Sequence, residues 1–143
     1  MQPPEPASLW RRVAAFCYDL LLLTAIFMCF TLVVLTIRMG AAVPPGSWWF
    51  PLCLLAIAAG FFCAFWAHGG QTLGMRAWRI RVVRDDGGAM TYAQALARFG
   101  AGLVALAPAG LGLWWSLFDA AKRGWHDRWT GTRVVRVRPA GQR

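Results

Sequence analysis

Two long apolar runs dominate the first half of the chain. Within residues 20–75 the only formal charge is Arg38, which separates a run over residues 13–37 from a run over residues 48–67. The first run contains one acid, Asp19. At about 1.5 Å of rise per residue, either run can cross a hydrocarbon core of roughly 30 Å. The pattern therefore predicts two transmembrane helices, joined as a hairpin by a short turn rich in Pro and Gly.

A third apolar run, residues 99–118, has two interpretations. Its length fits one crossing, but a crossing would put the seven cations that follow it on the opposite side of the membrane. The run is also interrupted in the middle, where Pro108 removes a helical donor and Gly110 and Gly112 loosen the backbone. The alternative is a broken segment that enters the bilayer and returns, which keeps both basic flanks on one side.

Two short segments alternate with the period of a half-buried strand. Residues 78–84 place Ile80 and Val82 on one face and arginines on the other, and residues 132–138 alternate in the same way. Because an isolated strand leaves its backbone groups unpaired, we expect these two segments to pair. Pairing requires that both lie on the same side of the membrane, which favours the broken third segment.

The predicted fold class is an all-α membrane protein: a two-helix hairpin, a broken third apolar segment and a small cytoplasmic β-strand pair. Thr91 and Gln94 form the T-x-x-Q pattern of a capping box, which predicts a helix start ahead of Arg98. We assign residues 1–10 to a loose N-terminal segment, residues 11–138 to one membrane domain and residues 139–143 to a C-terminal tail.

Composition and charge support a membrane protein. Apolar residues make up 58% of the chain and charged residues 15%, against about 45–50% and about 25% in soluble domains. Such apolarity excludes a disordered chain and disfavours a soluble enzyme. The net charge is +9, and arginines flank the first helix at its start and the second at its end. The positive-inside bias therefore predicts a cytoplasmic N-terminus, with anionic lipid headgroups as partners. Because this bias already explains the excess of arginine, nucleic-acid binding is not needed to explain it.

Neither the cysteines nor the histidines indicate a catalytic or metal centre. All four cysteines lie in apolar runs without CxxC spacing, as small buried hydrophobes do. His126 and Asp127 are adjacent, so their side chains point in different directions and form no catalytic dyad by themselves. No Ser or Cys stands near a base that could activate it. We therefore expect no enzyme activity, metal or cofactor.

Asp19 is the most informative side chain, since carboxylates inside apolar helices usually face a partner or a wet cavity. Arg12 lies seven residues earlier, on the same helical face and about 10 Å along the axis. One interpretation is a structural ion pair between Asp19 and Arg12; the other is a role in binding or moving a solute or proton. For Asp127, the alternative to such a role is a turn or cap formed with Thr130. The glycines of residues 68–74 predict a sharp exit from the second helix.

Taken in order, these residues resemble the RDD family of bacterial membrane proteins, named for one arginine and two aspartates. The resemblance runs from Arg12 to Val137 and rests on R-x-x-A-x-x-x-D at residues 12–19 and on Gly70, Thr72, Gly74, Arg98, His126, Asp127, Gly131, Thr132, Val134 and Val135. It implies that Arg12, Asp19 and Asp127 are the three naming residues. The chain departs from many members at Met75-Arg76, where they carry Lys directly after the glycine.

Two functions follow from this interpretation. The resemblance implies a bacterial inner-membrane protein whose molecular function is not established, and transport of an unidentified solute or ion is the function suggested for the family. We expect a polar centre at the cytoplasmic mouth of the helices, formed by Arg12, Asp19, Arg98, His126 and Asp127. Because two or three helices cannot easily enclose a pathway, transport predicts a homo-oligomer. The alternative is a non-transporting scaffold or assembly factor whose arginines bind anionic lipid and which binds a partner membrane protein.

Overall fold

The computed structural model describes residues 5–106 and 125–137, and most of them are helical. Helix α1 covers Leu9–Ile37 and helix α2 covers Trp49–Ala67. The two predicted helices are confirmed, and both are long and apolar enough to cross a bilayer. α1 begins at Leu9 rather than at residue 13, so Arg12 lies in the first turn of the helix instead of ahead of it.

Helix α4, Tyr92–Leu106, begins seven residues before the third apolar run. The predicted capping box is confirmed at its start. The backbone N–H of Gln94 donates to Thr91 Oγ1 at 3.3 Å, and the backbone N–H of Thr91 donates to Gln94 Oε1 at 3.1 Å. The predicted break at residues 107–112 and the rest of the run to residue 118 lie outside the described residues, as does the tail from residue 139.

The two alternating segments pair as predicted. Strand β1, Ile80–Arg84, and strand β2, Thr132–Arg136, form an antiparallel pair in which Val82 is opposite Val134. Ile80, Val82 and Val134 are buried, so the apolar face of the pair belongs to the core. Helix α3, Leu73–Ala77, joins α2 to β1, and helix α5, Trp125–Trp129, precedes β2.

The chain just before α1 extends this sheet, where the sequence predicted a loose segment up to residue 10. The Ala7 amide donates to the Val134 carbonyl at 2.9 Å, and the Arg136 amide donates to the Glu5 carbonyl at 2.9 Å. Ala7 is fully buried. These bonds tie the start of α1 to β2, which holds the two ends of the described chain together.

One stripe of α1 is buried, and the rest of its surface is half-buried or exposed. The stripe consists of residues spaced three and four apart, Arg12, Ala15, Asp19 and Leu23, which is the spacing of one helical face. α1 docks on α3, whereas α2 packs along α4. Of the four cysteines only Cys63 is buried; Cys17 and Cys29 are exposed on α1, so the prediction of four buried cysteines is wrong.

Candidate functional site

A buried ion cluster joins three helices. Asp127, on α5, is fully buried and lies between two arginines: Arg12 Nη1 of α1 donates to Asp127 Oδ2 at 2.7 Å, and Arg98 Nη1 of α4 lies 2.6 Å from Asp127 Oδ1. Both guanidinium groups are buried as well. We call Arg12, Arg98 and Asp127 the arginine–aspartate cluster. It contains two positive charges and one negative charge, so one positive charge has no counter-charge within it.

Burial and the charges of the arginine–aspartate cluster shift the pKa values of Asp127 and His126, which are both on α5. Burial alone would raise the pKa of Asp127, but the charges of Arg98, His126 and Arg12 outweigh it and hold the pKa well below its usual range. Burial, followed by the charge of Arg98, lowers the pKa of His126 to about 4. Near neutral pH, Asp127 is therefore ionised and His126, whose Nε2 lies 3.5 Å from Asp127 Oδ1, is neutral.

Arg98 is held by more than its carboxylate partner. Its Nη1 donates to Thr132 Oγ1 at 2.5 Å, and its guanidinium carbon lies 5.2 Å from the centre of the Trp66 ring. Thr132 is fully buried at the start of β2, and its hydroxyl oxygen lies 2.9 Å from that of Thr130. Gly131 between them has a φ of +59°, a left-handed conformation that a side chain would strain.

Asp19 has a separate set of partners. Thr72 Oγ1 donates to Asp19 Oδ2 at 2.5 Å, and the Gly74 amide donates to Asp19 Oδ1 at 2.9 Å. Thr72 also caps α3, because its Oγ1 accepts from the Met75 amide at 3.2 Å. The interpretation of Asp19 and Arg12 as an ion pair is therefore wrong: Arg12 bonds to Asp127, and Asp19 accepts hydrogen bonds from neutral donors of the turn into α3.

Both glycines of this turn are needed for close approach. A Cβ on Gly74 would lie 2.1 Å from the Ala15 carbonyl oxygen of α1, so only glycine lets α3 reach Asp19. Gly70 has a φ of +70°, and a Cβ there would lie 2.4 Å from the Val82 carbonyl oxygen of β1. The G-x-T-x-G pattern thus docks α3 on α1 and on the sheet. We call Asp19, Gly70, Thr72 and Gly74 the Asp19 clasp.

A cavity of about 280 Å³ lies between α1, α2 and α4. Its walls are mainly apolar and include Phe27, Leu55 and Leu103. Its polar lining residues come from both groups described above or from their neighbours: Arg12, Asp19, Arg98 and His126. The arginine–aspartate cluster and the Asp19 clasp therefore face a common space, although their partners within the protein differ.

All residues of the arginine–aspartate cluster and of the Asp19 clasp lie within the match to one protein family. The RDD family model matches residues 6–131, which is most of the chain. The chain belongs to the RDD family. No curated protein and no solved structure matches it. Family membership and the two apolar helices together indicate a membrane protein.

The structure brings most of the RDD-type polar residues together, but in two groups. Arg12, Arg98 and Asp127 form one group, with His126 and Thr132 beside it, while Asp19 lies with Thr72 and the two glycines in the other. Arg76, where this chain departs from many RDD members, is exposed. Sequence reasoning missed the contact between Trp66 and Arg98, because an aromatic residue near a helix end resembles an interfacial anchor.

Proposed function

We propose that this RDD protein takes part in moving a solute across or within the bacterial inner membrane, and that the solute enters the cavity between α1, α2 and α4. The observation that supports the proposal is the juxtaposition of apolar walls with the buried side chains of Arg12, Asp19 and Arg98. Ionisable residues at membrane depth are costly to insert and mark solute or ion pathways. The proposed role is non-enzymatic.

The orientation that we propose has the N-terminus and the sheet in the cytoplasm. Arg11 at the start of α1 and the arginines of α3 and β1 would then lie on the side that the positive-inside bias favours. The contacts of Arg98 with Asp127 and of β1 with β2 support a third segment that returns to the side from which it left. We further propose a homo-oligomer, since the exposed apolar side chains of α1, such as Leu21, Met28 and Leu32, could face lipid or a second copy.

Within this proposal the two polar groups have different tasks. A solute with a negative group would compete with Asp127 for Arg12 and Arg98, so the arginine–aspartate cluster is the group that changes partners. Each carboxylate oxygen of Asp19 accepts a hydrogen bond, one from Thr72 and one from Gly74, and these bonds hold α3 against α1. It would influence transport by shaping the cavity wall.

Flux measurements on the full chain in proteoliposomes test transport. Imposed gradients of protons, sodium, potassium or chloride are followed with ion-sensitive dyes, against protein-free liposomes. We expect one of these gradients to collapse faster with the protein present, and the Asp19→Asn variant to slow that collapse at least several-fold. Asp86→Asn, the same change at an exposed carboxylate, is the matched control. Rates equal to those of empty liposomes for every gradient would contradict transport of these ions.

A specific observation also supports the scaffold function. Arg76 on α3, Arg79 in the turn that follows it and Arg81 on β1 are all exposed. Each basic side chain at an anionic surface contributes about 1 kcal/mol to binding. If the protein is a scaffold that binds lipid and a partner protein, neutralising Arg79 and Arg81 should abolish its function, while Asp19→Asn should act only through folding.

A further inference from the structure

We propose that the ligand of the cavity is an amphipathic monoanion, a single acyl chain that ends in a carboxylate, with its headgroup on Arg12 and Arg98. This inference rests on the proposed function in taking the cavity as the solute site. It adds the chemical class of the solute, which neither family membership nor the apolar helices provide.

The first argument comes from donors that have no acceptor. Within residues 5–106 and 125–137, the Nε of Arg12, the Nε of Arg98 and the Nε1 of Trp66 are buried and donate to nothing. The three side chains all line the cavity. A buried N–H without an acceptor is costly, so a ligand group that brings acceptors to this end of the cavity gains these bonds once the side chains turn toward it. A carboxylate supplies up to four acceptor positions in the plane that suits a guanidinium group.

The second argument is charge. The arginine–aspartate cluster has two guanidinium groups for one carboxylate, and His126 beside it is neutral near pH 7. One further negative charge would balance the cluster, whereas a cationic ligand would add to its excess. Asp19 also lines the cavity, but both of its oxygens are occupied by the clasp, and its negative charge would repel a carboxylate. The headgroup therefore lies at the guanidinium groups of Arg12 and Arg98 and not at Asp19.

The third argument is the shape and chemistry of the remaining space. Beyond the polar side chains the walls are aromatic and aliphatic, with Phe16, Leu23, Phe62, Phe99 and Leu106 among them. At about 280 Å³ the cavity falls near the small end of ligand sites, which typically measure about 300–1,000 Å³. One acyl chain suits this volume better than the two chains of a phospholipid.

Gly102 offers a way to test the cavity without disturbing the ion cluster. It lines the cavity, and a Cβ built on it meets nothing within 4 Å. Leucine at this position would fill the space, and in a helix interior it is preferred over glycine, so the fold should survive. Gly100 provides the matched control, because it is exposed on the same helix and a Cβ on it also meets nothing within 4 Å.

The experiment measures binding of laurate to the delipidated full chain in non-ionic detergent by native mass spectrometry. Dodecanol, dodecyltrimethylammonium and dilauroylphosphatidylglycerol are run in parallel at the same concentrations. We expect one saturable laurate per chain, at least tenfold weaker binding to the Gly102→Leu variant, and unchanged binding to the Gly100→Leu variant. Arg98→Gln should reduce laurate binding, and Gly102→Leu keeps the test decisive if the arginine variant fails to fold.

Several outcomes would overturn the inference. Equal binding of dodecanol or dodecyltrimethylammonium would remove the selectivity for an anion. Strong binding of dilauroylphosphatidylglycerol without laurate would identify a phospholipid headgroup in place of a single-chain acid. Wild-type binding by Gly102→Leu would place the ligand elsewhere. If laurate binds but does not cross proteoliposome membranes, the transport proposal is contradicted and the ligand class is retained. If ions cross but laurate does not bind, the ligand class is contradicted and the transport proposal is retained.

Discussion

Arg12 and Asp127 lie 115 positions apart in the chain and form a buried hydrogen bond of 2.7 Å. The bond links the first turn of α1 to α5, near the other end of the described chain. Arg98 completes the contact from α4, so one carboxylate holds three helices together. Of the three residues that the resemblance assigns to the RDD pattern, Arg12 and Asp127 are therefore direct partners, while Asp19 has a different role in the fold.

The Asp127→Asn variant should be strongly destabilised. The amide keeps the shape of the side chain but loses the charge, and its NH₂ group would face two guanidinium groups that are themselves donors. Removing one partner from a buried ion pair typically costs about 3–5 kcal/mol. Thermal unfolding in detergent, followed by circular dichroism, measures the change.

The control for this variant is Asp86→Asn. Asp86 also pairs with an arginine, Arg84, but its side chain is 57% exposed. Exposed ion pairs contribute at most about 1 kcal/mol, so this variant should unfold close to the wild type. Equal unfolding temperatures for the two variants would mean that the arginine–aspartate cluster does not stabilise the fold.

The long helices and the strand pair could be predicted from local patterns, because the length of an apolar run and the alternation of side chains are properties of the sequence itself. The partners of the buried charges could not. Asp19 and Arg12 lie on one face of α1, yet a helix face does not determine which side chain arrives from another helix. Arg12 turns to Asp127, and the turn at Gly74 reaches Asp19 because Gly74 has no Cβ.

Thr72 can be tested by two substitutions of similar size. Thr72→Val keeps the branched shape but removes the hydroxyl that donates to Asp19 and accepts from the Met75 amide. A buried carboxylate oxygen left without its donor costs about 1–3 kcal/mol, and the loss of the cap adds to this. Thr72→Ser retains the hydroxyl and should recover most of the unfolding temperature. A Thr72→Ser protein that is less stable than Thr72→Val would argue for packing of the methyl group instead.

Gly74→Ala tests the contact between α1 and α3. The added Cβ would lie 2.1 Å from the Ala15 carbonyl oxygen, so the turn must move away and the bond from its amide to Asp19 must lengthen. We expect a lower unfolding temperature. Gly60→Ala in α2 is the control, because a Cβ there meets nothing within 4 Å and alanine favours the helix by about 1 kcal/mol. A Gly74→Ala protein as stable as the wild type would contradict the close contact.

Stability should fall as the pH drops from about 6.5 to about 4 because of His126. Its pKa in the folded protein is lowered to about 4 from an ordinary value of 6.5, first by burial and then by Arg98. Between these values the unfolded chain binds more protons than the folded one, so acid favours unfolding. At about 1.4 kcal/mol per pKa unit, the loss by pH 4 is up to about 3 kcal/mol.

Unfolding temperatures measured between pH 7 and pH 4 check this dependence. The unfolding temperature of His126→Gln should depend less on pH over that interval. His68→Gln, at an exposed position, should keep the pH dependence of the wild type. A wild-type slope that persists in the His126 variant would assign the dependence to another group.

The backbone bonds of Glu5 and Ala7 to β2 predict that the two ends of the described chain lie on one face of the membrane. Single cysteines at Ser8 and Val137, both exposed, are introduced after the four native cysteines have been replaced by alanine. A membrane-impermeant maleimide should label both from the cytoplasmic face. A cysteine at the exposed Ala42, between α1 and α2, should react only from the opposite face. Labelling of Ser8→Cys and Val137→Cys from different faces could not be reconciled with the Ala7–Val134 and Arg12–Asp127 bonds, because each bond joins the chain near residue 8 to the chain near residue 137.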